Sequence, residues 1–244
     1  MKFSITLLAL ASVNAEDTTK DDQWYGPKAG SLTGPRSGQV SLGEDSDRRY
    51  ADLEAITSKY WRKQGMTGKN AFDERKYWAY GCHCFMLGDR AMSEMGHGRP
   101  VDALDNKCKA YKDCQKCVRD RHGDMCIGER VRYTWRWSTK RNQFESNDDA
   151  GSCERELFEC DVQLAKDTFA TKDVYTDDYH LFWSKTGWDS EDADSCPSGG
   201  SAPVEHQCCG GFDAPWYWIG LNNNKCCGQS ETNAGQVVGI NDQC

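Results

Sequence analysis

The chain carries its most informative pattern in two cysteine-containing segments, Tyr80-Gly81-Cys82-His83-Cys84 and Cys108-Lys109-Ala110-Tyr111-Lys112-Asp113-Cys114. Between them lies Gly96-His97-Gly98-Arg99-Pro100-Val101-Asp102-Ala103-Leu104-Asp105. Asp102 follows a turn that contains proline, and residues 101–118 contain no Gly or Pro, which predicts a helix starting here. We therefore expect the second cysteine segment to lie on a helix.

The sequence around these segments predicts a mainly α-helical unit with one small β-hairpin. Apolar residues recur at helical spacing after Tyr50, which predicts an amphipathic helix; they are Leu53, Ile56 and Tyr60. A further helix is expected over residues 152–169. Residues 131–137 are rich in β-branched and aromatic side chains, and with residues 143–145 across a polar turn they predict the hairpin. The acidic and aromatic residues 173–194 are interpreted as a lid or linker over the core.

The composition indicates a disulfide-rich, secreted protein. The chain has 244 residues, 14 cysteines and a formal net charge of −8, and its mean hydropathy is −0.80. Such a hydrophilic chain buries a thin apolar core, and disulfides offset this by about 2–4 kcal/mol each. The acidic balance argues against a nucleic-acid partner. The sequence contains no apolar run of about 18 residues, so no transmembrane helix is expected.

The chain is predicted to have four regions. Val13 and Ala15 follow a short apolar run, as in a secretory signal peptide that is cleaved after Ala15. The next region is polar, rich in Gly and without cysteine, which predicts a disordered or pro-segment. It ends at Arg48-Arg49, which is either a processing site or a pair of exposed arginines. The predicted bounds are 1–15 for the signal peptide, 16–49 for the disordered segment, 50–196 for the helical domain and 197–244 for a small cysteine-rich C-terminal module.

The two cysteine segments resemble those of the secreted phospholipase A2 family. The family pattern is Tyr-Gly-Cys-x-Cys, then a glycine-rich calcium loop, then Pro-x-Asp-x-x-Asp and Cys-Cys-x-x-His-Asp-x-Cys. Downstream, Cys153, Cys160 and Asp161 match two cysteines and the aspartate of the family's second long helix. The resemblance covers residues 50–196. It implies a phospholipase A2-like helix pair with a small β-hairpin in a secreted, extracellular protein.

The residues at the family's catalytic positions differ from those that the chemistry needs. In the family, a histidine oriented by an aspartate takes a proton from water, and a calcium ion bound by a second aspartate and loop carbonyls stabilises the oxyanion. The resemblance places Tyr111 at the histidine position and Lys112 at the calcium-binding position, and it retains Asp161. A phenol with a pKa near about 10 is a poor base at neutral pH, and an ammonium group repels calcium. We therefore expect an inactive site without a cofactor.

The calcium loop also departs from the family pattern. Phe85 stands where the first loop glycine belongs, and the loop is eight residues longer. A family disulfide falls on Lys107 and Asp167, where an ion pair is our hypothesis. The resemblance implies four disulfides: Cys84–Cys108, Cys114–Cys160, Cys126–Cys153 and Cys82–Cys196. The pairing of the other six cysteines is left open; they are Cys117, Cys208, Cys209, Cys226, Cys227 and Cys244.

Five histidines are the remaining candidates for a base or a metal ligand: His83, His97, His122, His180 and His206. We interpret His83 as a packing residue and His97 as a solvated one. A zinc site is disfavoured because complete pairing of the 14 cysteines leaves no thiolate ligand. The sequence contains no Gly-x-Ser-x-Gly pattern for serine catalysis.

The C-terminal region contains a short repeat, in which Cys208-Cys209-Gly210 recurs as Cys226-Cys227-Gly228. The repeat resembles the di-cysteine modules of galaxin-like extracellular matrix proteins. An aromatic cluster, Trp216-Tyr217-Trp218, lies between the two cysteine pairs. It either packs over the disulfides or forms a binding surface.

Three functions remain open at this stage. The preferred one is a catalytically inactive phospholipase A2-like protein that acts as an extracellular structural, matrix or lipid-binding protein, with matrix proteins or lipid as partners. The second is a membrane-perturbing, toxin-like homologue, since family members with lysine at the calcium position behave in this way, although their faces are basic. The third is an active phospholipid ester hydrolase with a rearranged site and calcium as its cofactor.

Overall fold

Three α-helices form the frame of the described part of the protein. The computed structural model describes residues 21–25, 42–77, 79–85, 93, 96–198 and 204–244. Helix α1 spans Leu42–Lys63, α2 spans Ala103–His122 and α3 spans Cys153–Ala170. The predicted signal peptide and most of the expanded loop after Phe85 lie outside the described residues.

Helix α1 begins at Leu42, eight residues before the start expected at Tyr50. The sequence predicts disorder up to residue 49, and the helix predicted after Tyr50 extends further toward the N-terminus. Arg48-Arg49 falls within α1.

Side-chain caps define the starts of α2 and α3. The Asp102 carboxylate accepts the backbone N–H of Asp105 at 2.8 Å, and the Ser152 hydroxyl accepts that of Arg155 at 3.1 Å. Both bonds satisfy a donor that the first helical turn leaves open. Helix α2 ends at Gly123, whose φ of 91° favours glycine. The Cys114–Cys160 disulfide joins the two helices, which pack against each other.

The main apolar core lies between the three helices and the hairpin region. Its buried side chains include Leu53 and Ile56 of α1, Val118 of α2, Leu157 and Phe158 of α3, Tyr133 and Trp135 before the hairpin, and Trp137 within it. A second cluster surrounds Tyr80 and Leu104. The periodic apolar positions of the sequence thus face a common interior.

Within the part of the chain that the structure describes, the eight named strands form four antiparallel pairs. Strand β1 (Ala79–Tyr80) pairs with β2 (Cys84–Phe85), and β3 (Arg136–Ser138) pairs with β4 (Gln143–Glu145). The predicted hairpin is present, but β3 starts five residues later than expected. In residues 131–135 every second side chain is instead buried in the core, and Trp135 forms a single β-bridge with Tyr25.

Residues 21–25 are attached to this hairpin region, although the sequence predicts disorder there. The Asp21 carboxylate contacts the amines of Lys59 and Lys63 on α1. Tyr25 and Trp135 exchange two backbone hydrogen bonds, and their rings stack with centroids 4.4 Å apart. Two lysines of α1 and the backbone and ring of Trp135 therefore hold this segment, in which three of the five residues are polar.

The C-terminal region consists of two hairpins. Strand β5 (His206–Gly211) pairs with β6 (Ala214–Gly220), and β7 (Asn224–Cys227) pairs with β8 (Gln236–Gly239). The first hairpin packs on α2 and α3, where Trp216 is 3% exposed and belongs to the main core. Gly211 is required by this contact, because a Cβ there would lie 2.1 Å from the Trp216 ring.

Seven disulfides include all 14 cysteines. Four of them are the pairs that the family resemblance implies. The other three are Cys117–Cys208, Cys209–Cys226 and Cys227–Cys244. The first of these ties the C-terminal region to α2, and the other two link the repeated Cys-Cys pairs in series. Within the described residues, no helix is both long and apolar enough to cross a bilayer.

Candidate functional site

The Asp161 carboxylate lies at the centre of the predicted catalytic position. It is 1% exposed on α3 and faces α2. The Tyr111 hydroxyl donates to its Oδ1 at 2.7 Å, and the Tyr133 hydroxyl donates to its Oδ2 at 2.5 Å. The Gln115 amide adds a longer contact of 3.4 Å to Oδ1. The structure thus brings together Tyr111 and Asp161, as the register of the cysteines requires.

The two side chains that contact Asp161 most closely are both phenols. An imidazole has two nitrogens, so it can donate to a carboxylate with one and take a proton with the other. A phenol has a single oxygen, and Tyr111 uses its only O–H on Asp161. Burial and the adjacent Asp161 raise the pKa of Tyr133 well above its ordinary value, so the second phenol also stays protonated.

Lys112 is buried beside the start of the predicted calcium loop. A Cβ added to Gly96 would lie 2.9 Å from Lys112 Nζ, 2.7 Å from His83 Nδ1 and 2.8 Å from the Cys82 carbonyl oxygen. These three atoms therefore converge on one point. Burial lowers the pKa of Lys112 to about 7, opposed by the negative charges of Asp105 and Asp113.

The residues at this point do not fit a calcium ion. Calcium takes six to eight oxygen ligands, with carboxylates prominent among them. Here the position of the carboxylate is held by Lys112, whose amine is a nitrogen group and carries a positive charge when protonated. Among the described residues, no cluster of three His, Cys, Asp or Glu side chains has the arrangement of a metal site.

Asp105 is a structural residue that the sequence reasoning did not single out. It is fully buried and accepts the backbone N–H groups of Cys82, His83 and Val101 at 2.7–3.0 Å. Gly81 lies directly over it, since a Cβ there would be 2.4 Å from Asp105 Cγ. The Pro-x-Asp-x-x-Asp spacing in the sequence could have indicated this structural role of Asp105. Asp105 therefore holds the Cys82–His83 backbone beside Lys112.

His83 is buried and neutral. Its Nε2 donates to the Gly98 carbonyl at 3.1 Å. Burial lowers its pKa to about 4; the Gly98 hydrogen bond opposes this effect, and the charge of Lys112 adds to it. The interpretation of His83 as a packing residue agrees with its 5% exposure.

The other four histidines lie apart from the Tyr111–Asp161 position. His97 is exposed. His180 is buried, with Nε2 donating to the Arg75 carbonyl and Nδ1 accepting the Phe182 N–H, which gives it a structural role. His206 stacks on Trp218, and His122 contacts Glu156 at 2.9 Å.

Glu156 is a second residue that the sequence reasoning missed. Its carboxylate is 0% exposed and accepts the Trp216 indole N–H at 2.8 Å and the Phe212 N–H at 3.0 Å. His122 of α2 contacts the same carboxylate. The sequence could have indicated its burial, because Glu156 lies four residues before Cys160 and therefore on the same, buried face of α3. Glu156 thus joins the C-terminal hairpin to both long helices.

The comparisons with known proteins agree with this fold and site. No protein-family model matches the chain. A basic phospholipase A2 homolog, LmutTX from Lachesis muta muta, is 34% identical over 114 residues, which are 47% of this chain and 80% of that protein. The group IID secretory phospholipase A2 of Mus musculus is 33% identical over 118 residues, which are 48% of this chain and 72% of that protein. The chain therefore belongs to the phospholipase A2 family.

One relative matches a larger share of the chain. A phospholipase A2 from Calliactis polypus is 28% identical over 184 residues, which are 73% of this chain and 87% of that protein. The likeness to this relative thus spans more than the family's helical core.

Proposed function

We propose that this protein is a secreted phospholipase A2-family member that does not hydrolyse phospholipids and acts as an extracellular structural or lipid-binding protein. The observation that carries the proposal is the hydrogen bond from Tyr111 to Asp161. It supports the proposal because the family's chemistry needs a proton acceptor, and a phenol that donates its O–H to a carboxylate is a poor one.

The Lys112 amine gives a second, independent reason. Ester hydrolysis in this family also needs a cation to stabilise the oxyanion, and Lys112 lies at the position of the calcium-binding carboxylate. Loss of the base and loss of the metal ligand each lower the rate, and the chain has both substitutions.

The disulfide framework supports a scaffold role. Seven disulfides, of which Cys82–Cys196 closes the longest loop, constrain a chain with a thin apolar core. The C-terminal hairpin covers the helix pair and presents Tyr217, which is 43% exposed. Partners of this scaffold are proposed to be extracellular matrix proteins or lipid.

A fluorogenic phospholipid assay with calcium tests the proposal. We expect no turnover above buffer from the wild-type chain, and the same result from Asp161→Ala. Turnover that requires calcium and disappears in Asp161→Ala would overturn the proposal. It would favour the rearranged hydrolase, a reading supported by the name phospholipase A2 of the Calliactis polypus relative.

A membrane-perturbing role is the second candidate. It is favoured by Lys112 and by relatives that are named basic phospholipase A2 homologs. The formal net charge of −8 opposes it, because electrostatic attraction to anionic lipid requires a basic face. Calcium-independent leakage of dye from anionic vesicles at low salt, without lipid hydrolysis, would support this candidate.

A further inference from the structure

A cavity of about 310 Å³ lies between the β3–β4 hairpin, the start of α3 and Trp24. Its lining contains none of the residues around Tyr111, Lys112 and Asp161. The volume is at the lower end of the range found for small-molecule sites, about 300–1,000 Å³. Three arginines line it, Arg136, Arg141 and Arg155, together with Glu145 and Asn147.

The lining is positively charged although the protein is acidic. Its three arginines and one glutamate give a net charge of +2 (3 − 1), and Glu159, which pairs with Arg155 from outside the lining, reduces this to +1, in a chain of net charge −8. A local positive charge attracts anions, whereas the negative net charge of the whole chain would repel them.

The contacts that the structure describes between these arginines and nearby carboxylates orient the guanidinium groups and involve only some of their N–H donors. Glu145 accepts two N–H groups of Arg136, at 2.8 and 3.0 Å, and contacts Arg141 at 3.2 Å. Arg155 contacts Glu159 at 2.7 Å. Each guanidinium has five N–H donors, so these contacts use only a minority of the fifteen. The hydrogen bonds from Arg136 lower the pKa of Glu145, which is therefore ionised at neutral pH and keeps its arginines in place.

Trp24 adds an aromatic wall. Its ring lies 4.5 Å from Arg136 Cζ and is 41% exposed. The neighbouring residue Tyr25 fixes the backbone through its two hydrogen bonds to Trp135, and Asp21 fixes it through Lys59. An anchored tryptophan beside guanidinium groups suits a ligand that has both a ring and a charge. The polar character of the lining does not suit an acyl chain.

We propose that this cavity binds a small organic anion with a sulfate or phosphate ester. The tetrahedral oxyanion contacts Arg141 and Arg155, and the organic part lies against Trp24. A sulfated sugar and a phosphorylated glycerol share this chemistry, so the test must separate them.

Isothermal titration calorimetry of the full chain at low salt tests the proposal. The four probes are inorganic sulfate, inorganic phosphate, a sulfated disaccharide and glycerol 3-phosphate. We expect one of the two organic esters to bind more tightly than its inorganic ion, which also assigns the source of the ester. Arg141→Gln and Arg155→Gln should each weaken this binding by about tenfold, the effect of one charge-assisted hydrogen bond.

Two control variants make the result specific. Arg130→Gln removes the same charge from an exposed arginine outside the cavity and should leave the affinity unchanged. Trp24→Ala should weaken binding of the organic ester and leave binding of the inorganic ion unchanged. The proposal is overturned if none of the probes binds, if only inorganic ions bind, or if Arg130→Gln weakens binding as much as Arg141→Gln.

Discussion

The hydroxyl oxygen of Tyr111 lies 2.7 Å from Oδ1 of Asp161, and both side chains are buried. This phenol–carboxylate pair joins α2 to α3. The bond satisfies a buried carboxylate, and an unsatisfied carboxylate would be costly in the core.

The first prediction concerns this bond. Tyr111→Phe removes one of the two phenol donors to Asp161 and should lower the free energy of unfolding by about 1–3 kcal/mol. Chemical denaturation at neutral pH measures this change. Tyr217→Phe is the matched control, because this tyrosine is 43% exposed, and its effect should stay within about 0.5 kcal/mol. Equal effects of the two variants would contradict the role given to Tyr111.

The second prediction concerns Lys112 and pH. Its pKa is about 7 in the folded protein, compared with an ordinary value of 10.5 for a lysine amine. Between these values the unfolded chain binds a proton that the folded chain does not, so stability rises with pH from about 7 upward. Below pH 7 both states are protonated and this contribution is constant.

Unfolding measurements at pH 7, 8 and 9 check this sign. The wild-type free energy of unfolding should increase by about 1 kcal/mol per pH unit from Lys112. Lys112→Met removes the titrating group and should remove this part of the slope. Equal slopes of unfolding free energy against pH for the wild type and Lys112→Met would contradict the burial of the Lys112 amine.

The third prediction concerns the attachment of the C-terminal hairpin. Glu156→Gln replaces a buried acceptor of two N–H groups with an amide that can turn only one oxygen toward them, and it removes the charge beside His122. We expect a loss of about 2–4 kcal/mol in unfolding free energy. Glu154→Gln, also on α3 but without these contacts, should cost less than about 1 kcal/mol. A small effect of Glu156→Gln would mean that the Cys117–Cys208 disulfide alone holds the hairpin.

The fourth prediction concerns the position where the family has another disulfide. Lys107 Nζ and Asp167 Oδ1 are 3.3 Å apart, with Lys107 38% exposed. A double-mutant cycle with Lys107→Ala and Asp167→Ala should give a coupling energy of about 0–1 kcal/mol, since water screens an exposed pair. A coupling above about 2 kcal/mol would show that the pair replaces the bridge in energy as well as in position.

Much of the site could be predicted because cysteine spacing fixes register. Cys108 and Cys114 placed Tyr111 and Lys112 on α2, and Cys160 placed Asp161 on α3. The second donor to Asp161, Tyr133, comes from an extended segment without a spacing constraint, so the sequence did not reveal it. Its position depends on the packing of the core and not on local pattern.

The C-terminal region shows a similar division. The repeated Cys-Cys-Gly motif predicted a small module, and the structure has two bridges within the repeat, Cys209–Cys226 and Cys227–Cys244. Cys117, which had no family partner, was the signal that the region also joins α2. The burial of Trp216 and Glu156 against each other needed the three-dimensional arrangement, because the residues are 60 positions apart.

The attachment of residues 21–25 could not be predicted from their composition. Three of the five residues are polar, and the segment is held by the contacts of Asp21 with two lysines on α1 and of Tyr25 with Trp135. Such long-range contacts leave no local periodicity in the sequence.

The most direct test of the central claim is the rate of fatty-acid release from phospholipid vesicles, measured for the full chain with millimolar calcium and again with a chelator. We predict equal rates in the two conditions, both at the level of vesicles without protein, because Tyr111 offers no proton acceptor and Lys112 no calcium ligand. A rate that rises with calcium and is lost in Asp161→Ala would contradict the account.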